Sequence, residues 1–272
     1  MSNLCNERSV FYNEGFINES EAAISFDDRG FRYGDGIFDT IRVNKGEMFR
    51  FKSHLQRIKR GLEAIGINFD CMAIEGICKE LLQKNKVEEG FIRIAISRGV
   101  GSEGYLPKCG KPTVVVQTIK STNASDKPVD LWLSSYRKIP EICLPSDIKS
   151  SQGLNSTLAR MQATESGCFE ALLLSIEGKI CEGSSGNIFW FKEGKLYTPE
   201  NNILKGVMRE AVIEKSPYEV VQGDFELDDL KDAEEVFITN IAWVAKSVKS
   251  LQPVGFVWKQ TIVCGEIKGI II

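Results

Sequence analysis

The sequence predicts an α+β fold in two domains, on three observations. Strand-like and helix-like segments follow one another along the whole chain. A polar stretch rich in turn formers, Lys120 to Pro128, interrupts them. The length of 272 residues is enough for two cores of ordinary size. The expected layout is an N-terminal α/β domain over residues 1–120, a linker at 121–128 and a C-terminal α/β domain over 129–272.

Ala22 to Phe26 alternates weakly. The glycines of Gly30-Phe31-Arg32-Tyr33-Gly34-Asp35-Gly36 are turn signals, and Ile37 to Val43 reads as a strand. Asn44-Lys45-Gly46-Glu47 predicts a hairpin turn into Met48 to Phe51. Leu55, Ile58, Leu62 and Ile65 keep helical spacing, and Gly66 ends that helix. Met72 to Lys84 predicts a second amphipathic helix. Phe91–Ser97 and Pro112–Ile119 read as strands, joined by the glycine-rich loop Arg98 to Pro107. Beyond the linker, Val129 to Leu133 reads as a strand. A helix is expected from Leu154, its apolar side formed by Leu154, Leu158, Met161 and Ala163. Glu170 to Ser175 reads as a buried strand. Cys181 to Phe191 starts as a loop and ends as a strand, and Gly206 precedes a helix over Val207 to Glu214. Glu235 to Thr239 is a late strand, and Val248 to the C-terminus reads as further strands and turns.

Composition narrows the function classes. A net charge of −3 offers no basic face for nucleic acid. No run approaches the apolar length of a membrane span, and the first residues have no signal-peptide core. The expected location is the cytoplasm, where the eight scattered cysteines are thiols. No CxxC pair occurs, and the single histidine, His54, excludes multi-histidine metal sites; no metal is expected.

Four features carry chemistry. Lys149 lies in a loop of small residues between a strand and a helix, where burial favours the neutral amine that forms Schiff bases. Gly206 opens a helix whose first N–H groups suit a phosphate. Glu182, before Gly183-Ser184-Ser185-Gly186, is a carboxylate on a tight loop that suits a protonated ring nitrogen. Arg57, three residues after His54 on a helix, suits phosphate neutralisation. Read singly, each is more readily a surface or turn residue.

Read together, they resemble one family. Asp28-Arg29-Gly30-Phe31 with Tyr33-Gly34-Asp35-Gly36, His54-Leu55-Gln56-Arg57, Ser97-Arg98-Gly99, Ile148-Lys149, Leu158-Ala159, Glu182-Gly183-Ser184 with Asn187-Ile188-Phe189, and Ile203 to Arg209 follow in order across nearly the whole chain. The chain resembles the class IV aminotransferases, the fold-type IV pyridoxal-phosphate enzymes. These include D-amino acid and branched-chain aminotransferases and 4-amino-4-deoxychorismate lyase. The resemblance implies a two-domain, D-amino acid aminotransferase-like fold with pyridoxal 5'-phosphate between the domains. It also implies a homodimer whose partner loop completes the pocket for a small amino substrate. It gives Lys149 the Schiff base and the proton shuttle, and Glu182 the pyridine nitrogen. Arg57 and the backbone of Val207 and Met208 take the phosphate, with Ile241 beside it.

Two departures bear on the substrate. Many aminotransferases of the family carry hydroxyl residues where Met208 and Ile241 stand. Gly206 to Arg209 and Thr239 to Ala242 look more like the lyase. The arginine and histidine of the D-amino acid carboxylate trap are also missing; Glu103-Gly104-Tyr105 stands there instead. The expectation is therefore a lyase releasing pyruvate to leave 4-aminobenzoate for folate synthesis. The alternatives are an amino acid aminotransferase of D-amino acid or branched-chain type and a cofactor-binding homologue without catalysis. Phe38, Thr40, Arg98 and Tyr105 are the candidate substrate residues.

Overall fold

A computed structural model of the chain describes residues 8–101, 104–108, 110–121 and 125–271. Cys5, Glu103, Cys109 and part of the expected linker lie outside them. The chain divides into two compact units, Met1–Asn123 with Ile148–Gln152, and Ala124–Asp147 with Gly153–Ile272. The segment carrying Lys149, placed by the sequence in the C-terminal domain, therefore belongs with the first unit.

The first unit is built on strands β1 (Ser9–Tyr12), β2 (Gly15–Asn18), β3 (Gly36–Asn44), β4 (Glu47–Met48), β5 (Gly90–Ser97) and β6 (Thr113–Lys120), with helices α1 (Arg29–Tyr33), α2 (Phe51–Ala64) and α3 (Ile74–Asn85). The strand order is β2-β1-β6-β5-β3-β4, and every pairing is antiparallel. Antiparallel sheets commonly bury one face and leave the other polar. Here Ile37, Ile41, Val43, Ile92, Ile94 and Ile96 enter the core with Ile58, Leu62, Ile74 and Leu81 of α2 and α3. The opposite face, carrying Phe38, Thr40, Phe91, Arg93 and Ala95, is half-buried. The glycines read as turn signals include Gly30, inside the short helix α1. Its N-cap is Asp28, whose carboxylate accepts from Gly30 N.

The second unit contains β7 (Val129–Arg137), α4 (Leu154–Glu165), β8 (Glu170–Leu174), β9 (Ile180–Gly183), β10 (Asn187–Lys192), β11 (Lys195–Pro199), α5 (Val207–Lys215), β12 (Glu219–Gly223), β13 (Glu235–Asn240), β14 (Val244–Gln252), β15 (Phe256–Val257) and α6 (Ile262–Ile271). Its sheet runs β12-β11-β10-β13-β14-β7-β8-β9, with β15 paired to β14. Parallel pairs join β11 to β12, β14 to β7 and β7 to β8.

Two helices differ from expectation. In α4 the packed residues are Ala159 and Ala163, against Ala171 and Leu173 of β8. Leu154 and Met161 of the predicted apolar side are exposed. Small side chains let the helix lie close on the sheet, which the large ones do not. The C-terminal residues, rich in Ile and Val and read as strands and turns, form α6. Its Val263, Cys264, Ile267 and Ile271 are buried. A tertiary contact supports it: buried Glu235 of β13 accepts from Val263 N at 2.9 Å and Cys264 N at 2.7 Å. A carboxylate there satisfies donors that a helix start leaves open.

Replacing Glu235 with Ala strands those buried N–H groups. The Glu235→Ala variant is expected to lose about 1–3 kcal/mol of stability in urea unfolding, with protection from hydrogen exchange lost first in residues 262–271.

Candidate active site

Lys149 is placed by backbone pairing. Phe38 N donates to Lys149 O at 3.0 Å and Ser151 N to Gly36 O at 2.9 Å, and Ile37 bridges Ser150 antiparallel. The lysine segment thus runs along the start of β3. Gly36 is required there, since a Cβ would meet Ile96 O at 2.6 Å. Lys149 Nζ lies 4.6 Å from the centre of the Phe38 ring, within cation–π range. The Arg93 guanidinium lies 4.5 Å from the same ring. Thr40 pairs with Arg93 across β3 and β5. The structure therefore brings together Lys149, Phe38 and Thr40, and adds Arg93, which the sequence reading missed. The β5 alternation was the available signal: Phe91, Arg93 and Ala95 share the face opposite Ile92 and Ile94.

Arg57 is buried on α2. Its Nε and Nη2 donate to Asp39 Oδ2 at 2.9 Å and Oδ1 at 2.7 Å, and His54 Nδ1 lies 3.0 Å from Asp39 Oδ1. Asp39 has no exposed surface. Burial pushes its carboxyl up, but Arg57 and His54 together more than offset this and hold it well below the usual carboxylate range. Asp39 was also overlooked, although it takes the inward position between Ile37 and Ile41.

The other two substrate candidates lie elsewhere in this unit. Arg98 donates to Asp35 Oδ2 at 2.8 Å and to the carbonyls of Ile65 and Gly66, at 2.5 and 3.1 Å, where α2 ends. Burial raises Asp35, yet its bonds to Arg98 and Arg29 leave it lowered on balance. Tyr105 is exposed, its ring 5.8 Å from that of Tyr33.

In the second unit Glu182 is buried at the end of β9. Its Oε1 accepts from Lys138 Nζ at 2.5 Å, and its Oε2 from Leu204 N at 3.1 Å and Asn187 Nδ2 at 3.2 Å. Lys138, at the end of β7, was not foreseen; a lone basic residue after a strand gives no periodic signal. Neighbouring Cys181 is pushed up to about 12 by burial and by the Glu182 charge, so it is inert as a thiolate.

Val207 and Met208 are buried as the first residues of α5, whose N-cap, Gly206, has no side chain to cap them. A Cβ at Gly206 would meet Asn187 Oδ1 at 2.3 Å. The helix thus begins on a glycine packed against Asn187, and a helix start of this kind fits an anion such as a phosphate. Ile241 is half-buried in the turn after β13, which Asn240 organises by accepting from Ala242 N and Trp243 N at 2.8 and 3.1 Å. The turn ends at Val244, whose φ of 66° is strained for a β-branched residue. Thr239 Oγ1, at the end of β13, is buried and has no hydrogen-bond partner. Among the described residues no group of His, Cys, Asp and Glu could hold a metal ion. None of their helices is long and apolar enough to cross a membrane.

Residues 36–251 match the family described as amino-transferase class IV. A Methanocaldococcus jannaschii protein provisionally named a branched-chain-amino-acid aminotransferase is 36% identical, covering 86% of this chain and 84% of its own. The D-alanine aminotransferase of Staphylococcus aureus strain N315 is 32% identical over 85% and 84%. The aminodeoxychorismate lyase of Bacillus subtilis strain 168 is 30% identical over 85% and 82%. Among solved structures, a T.th. branched-chain amino acid aminotransferase complexed with N-(5'-phosphopyridoxyl)-L-glutamate matches with a TM-score of 0.91. It is 27% identical and covers 97% of this chain and 92% of its own.

Asp39 and Asp35 carry an acid-stability signature. Both carboxyls are lowered in the folded chain, so their contribution is full above their unfolded values near about 4 and is lost as pH falls below that. The melting temperature is expected to drop between about pH 4 and 2, and less steeply in the Asp35→Asn variant.

Proposed function

This chain belongs to the class IV aminotransferase family, pyridoxal 5'-phosphate enzymes of α+β fold-type IV, and we propose that it is an amino acid aminotransferase of the branched-chain type acting on L-amino acids. The observation that carries this reading is Arg93. It sets a guanidinium against the Phe38 ring, which Lys149 Nζ also meets, on a half-buried face that carries Thr40, Phe91, Ala95 and, against the Phe91 ring, Arg42. A face of apolar side chains with the Arg93 guanidinium among them suits two substrates in turn: an amino acid with an aliphatic side chain, and a dicarboxylate such as glutamate whose second carboxylate that guanidinium takes. The names of the M. jannaschii relative and of the T.th. structure support the same class, and the bound L-glutamate derivative supports the L series. The missing carboxylate-trap histidine counts against the D-alanine type: His54, the only histidine, is buried against Asp39. The lyase expected from the sequence becomes the second reading. Apolar Met208 and Ile241 still favour it.

The cofactor, when bound, supplies an electron sink for charge released at the substrate α-carbon. The chain does the rest. Lys149 Nζ, oriented over Phe38, would take the proton from the α-carbon and pass it to the cofactor carbon that receives the amino group, and would move a proton the opposite way in the second half-reaction. Glu182, held by Lys138, Asn187 and the Leu204 N–H, would face a protonated ring nitrogen. Arg57 and the N–H groups of Val207 and Met208 would hold the phosphate, the roles that the family resemblance gives them. Arg93 orients the dicarboxylate substrate through its second carboxylate. A homodimer fits the exposed Phe26, Phe31, Tyr105 and Leu106, since apolar side chains in such number on one loop region mark interfaces. The Tyr105 loop is pinned there by Arg29 Nη1 donating to Gly104 O at 2.7 Å.

A three-armed assay on the purified protein tests the reading. L-Leucine or L-valine with 2-oxoglutarate is expected to yield glutamate. D-Alanine with 2-oxoglutarate and 4-amino-4-deoxychorismate alone are expected to yield little. 4-Aminobenzoate and pyruvate without amino transfer would reverse the order of the two readings. In the Arg93→Gln variant, KM for glutamate is expected to rise about tenfold to a hundredfold, with KM for L-leucine changing much less.

A further inference from the structure

We infer that Asp39 is a positioning residue for cofactor binding: it fixes the plane and rotamer of the Arg57 guanidinium, and so the direction from which Arg57 meets a phosphate. The inference rests on the reading of Arg57 as a phosphate ligand.

The geometry is that of a saturated buried carboxylate. Asp39 accepts Arg57 Nε on Oδ2, and Arg57 Nη2 on Oδ1. Oδ1 also faces His54 Nδ1 and accepts the backbone N–H of Thr40 at 2.7 Å. A carboxylate only accepts, so the His54 nitrogen facing it carries the proton. The fork-to-fork contact is the most directional pairing that an arginine makes. It holds the Nε–Nη2 edge, and because the guanidinium is planar it thereby sets the orientation of the whole group. Arg57 and His54 are three residues apart on α2 and share one helix face, so a single carboxylate on β3 ties both.

The charge balance gives Asp39 a second role. A buried arginine needs a compensating charge, and a phosphate that compensates Arg57 comes and goes with the cofactor. Asp39 compensates it permanently. The cofactor-free chain then keeps Arg57 in its binding orientation, and binding does not have to include the ordering of a long side chain. Asp39 acts through Arg57 and touches neither the reacting carbon nor the ring.

The comparison of pyridoxal 5'-phosphate with pyridoxal isolates this role, because the two differ only in the phosphate. The chain, resolved from cofactor, is titrated with each and Kd is read from absorbance. In the Asp39→Asn variant, Kd for pyridoxal 5'-phosphate is expected to rise about tenfold or more, with Kd for pyridoxal within about twofold of the parent. An equal loss for both ligands overturns the inference, since Asp39 then supports the fold and not the phosphate. The Asp39→Glu variant, which keeps the charge but displaces the fork by a methylene, carries the test if Asp39→Asn does not fold. It is expected to lose the preference for the phosphorylated ligand in part. The Arg57→Met variant separates the two readings. If it leaves the preference intact, the assignment of Arg57 fails and this inference falls with it. If it abolishes the preference while neither Asp39 variant changes it, only the role of Asp39 is overturned. In the Asp39→Asn, Arg57→Met pair the losses are expected to be non-additive; additive losses count against the coupling.

Discussion

The arrangement depends first on the hydrogen bonds between β3 and the segment from Lys149 to Ser151. Lysine is a flexible side chain, and a loop lysine ordinarily samples many rotamers. Here its backbone is registered against a strand by the Phe38–Lys149 and Ser151–Gly36 bonds, and its Nζ rests over an aromatic ring of the same strand. The strand also presents Asp39 inward and Phe38 and Thr40 outward, because successive residues of a strand point to opposite faces. One strand thereby holds the amine on one face and the clamp for Arg57 on the other. A one-residue slip of its register would exchange them.

The same electrostatic device appears in each unit. Asp39 and Glu182 are buried carboxylates, and each is met by a cation and by further hydrogen-bond donors. A buried charge persists only when it is paired and its lone pairs are satisfied. The donor sets match the proposed roles. Asp39 faces Arg57, a planar fork that it can orient. Glu182 faces Lys138, a single-point cation, and two neutral donors that fix its plane.

Much of this was legible because it is periodic or local. The helical spacing around Leu55 to Ile65, the alternation of Ile37 to Val43 and the glycine before Val207 each follow from one short stretch of chain. The α2, β3 and α5 elements appear where that spacing puts them. Alternation was also readable at Asp39 and Arg93 but went unused, since a charged residue in a strand gives no sign of its partner. The exposed side of α4 was misjudged because size alone suggests that leucine and methionine are buried, whereas close helix–sheet approach selected Ala159 and Ala163. The α6 helix was misread because its β-branched composition favours strand. A carboxylate some thirty positions earlier, Glu235, supports its first turn.

The sequence by itself determined the family and the cofactor class, and singled out a lysine, a glutamate and an arginine as candidates for the cofactor, because those features are carried by ordered motifs along the chain. The tertiary structure alone decided what surrounds them: Arg93 beside the Phe38 ring, Asp39 beneath Arg57, Lys138 on Glu182, and Arg98 tied to the end of α2. Each of these is a contact between residues far apart in the chain. The energy of such a contact depends on burial and distance, and spacing along the sequence sets neither.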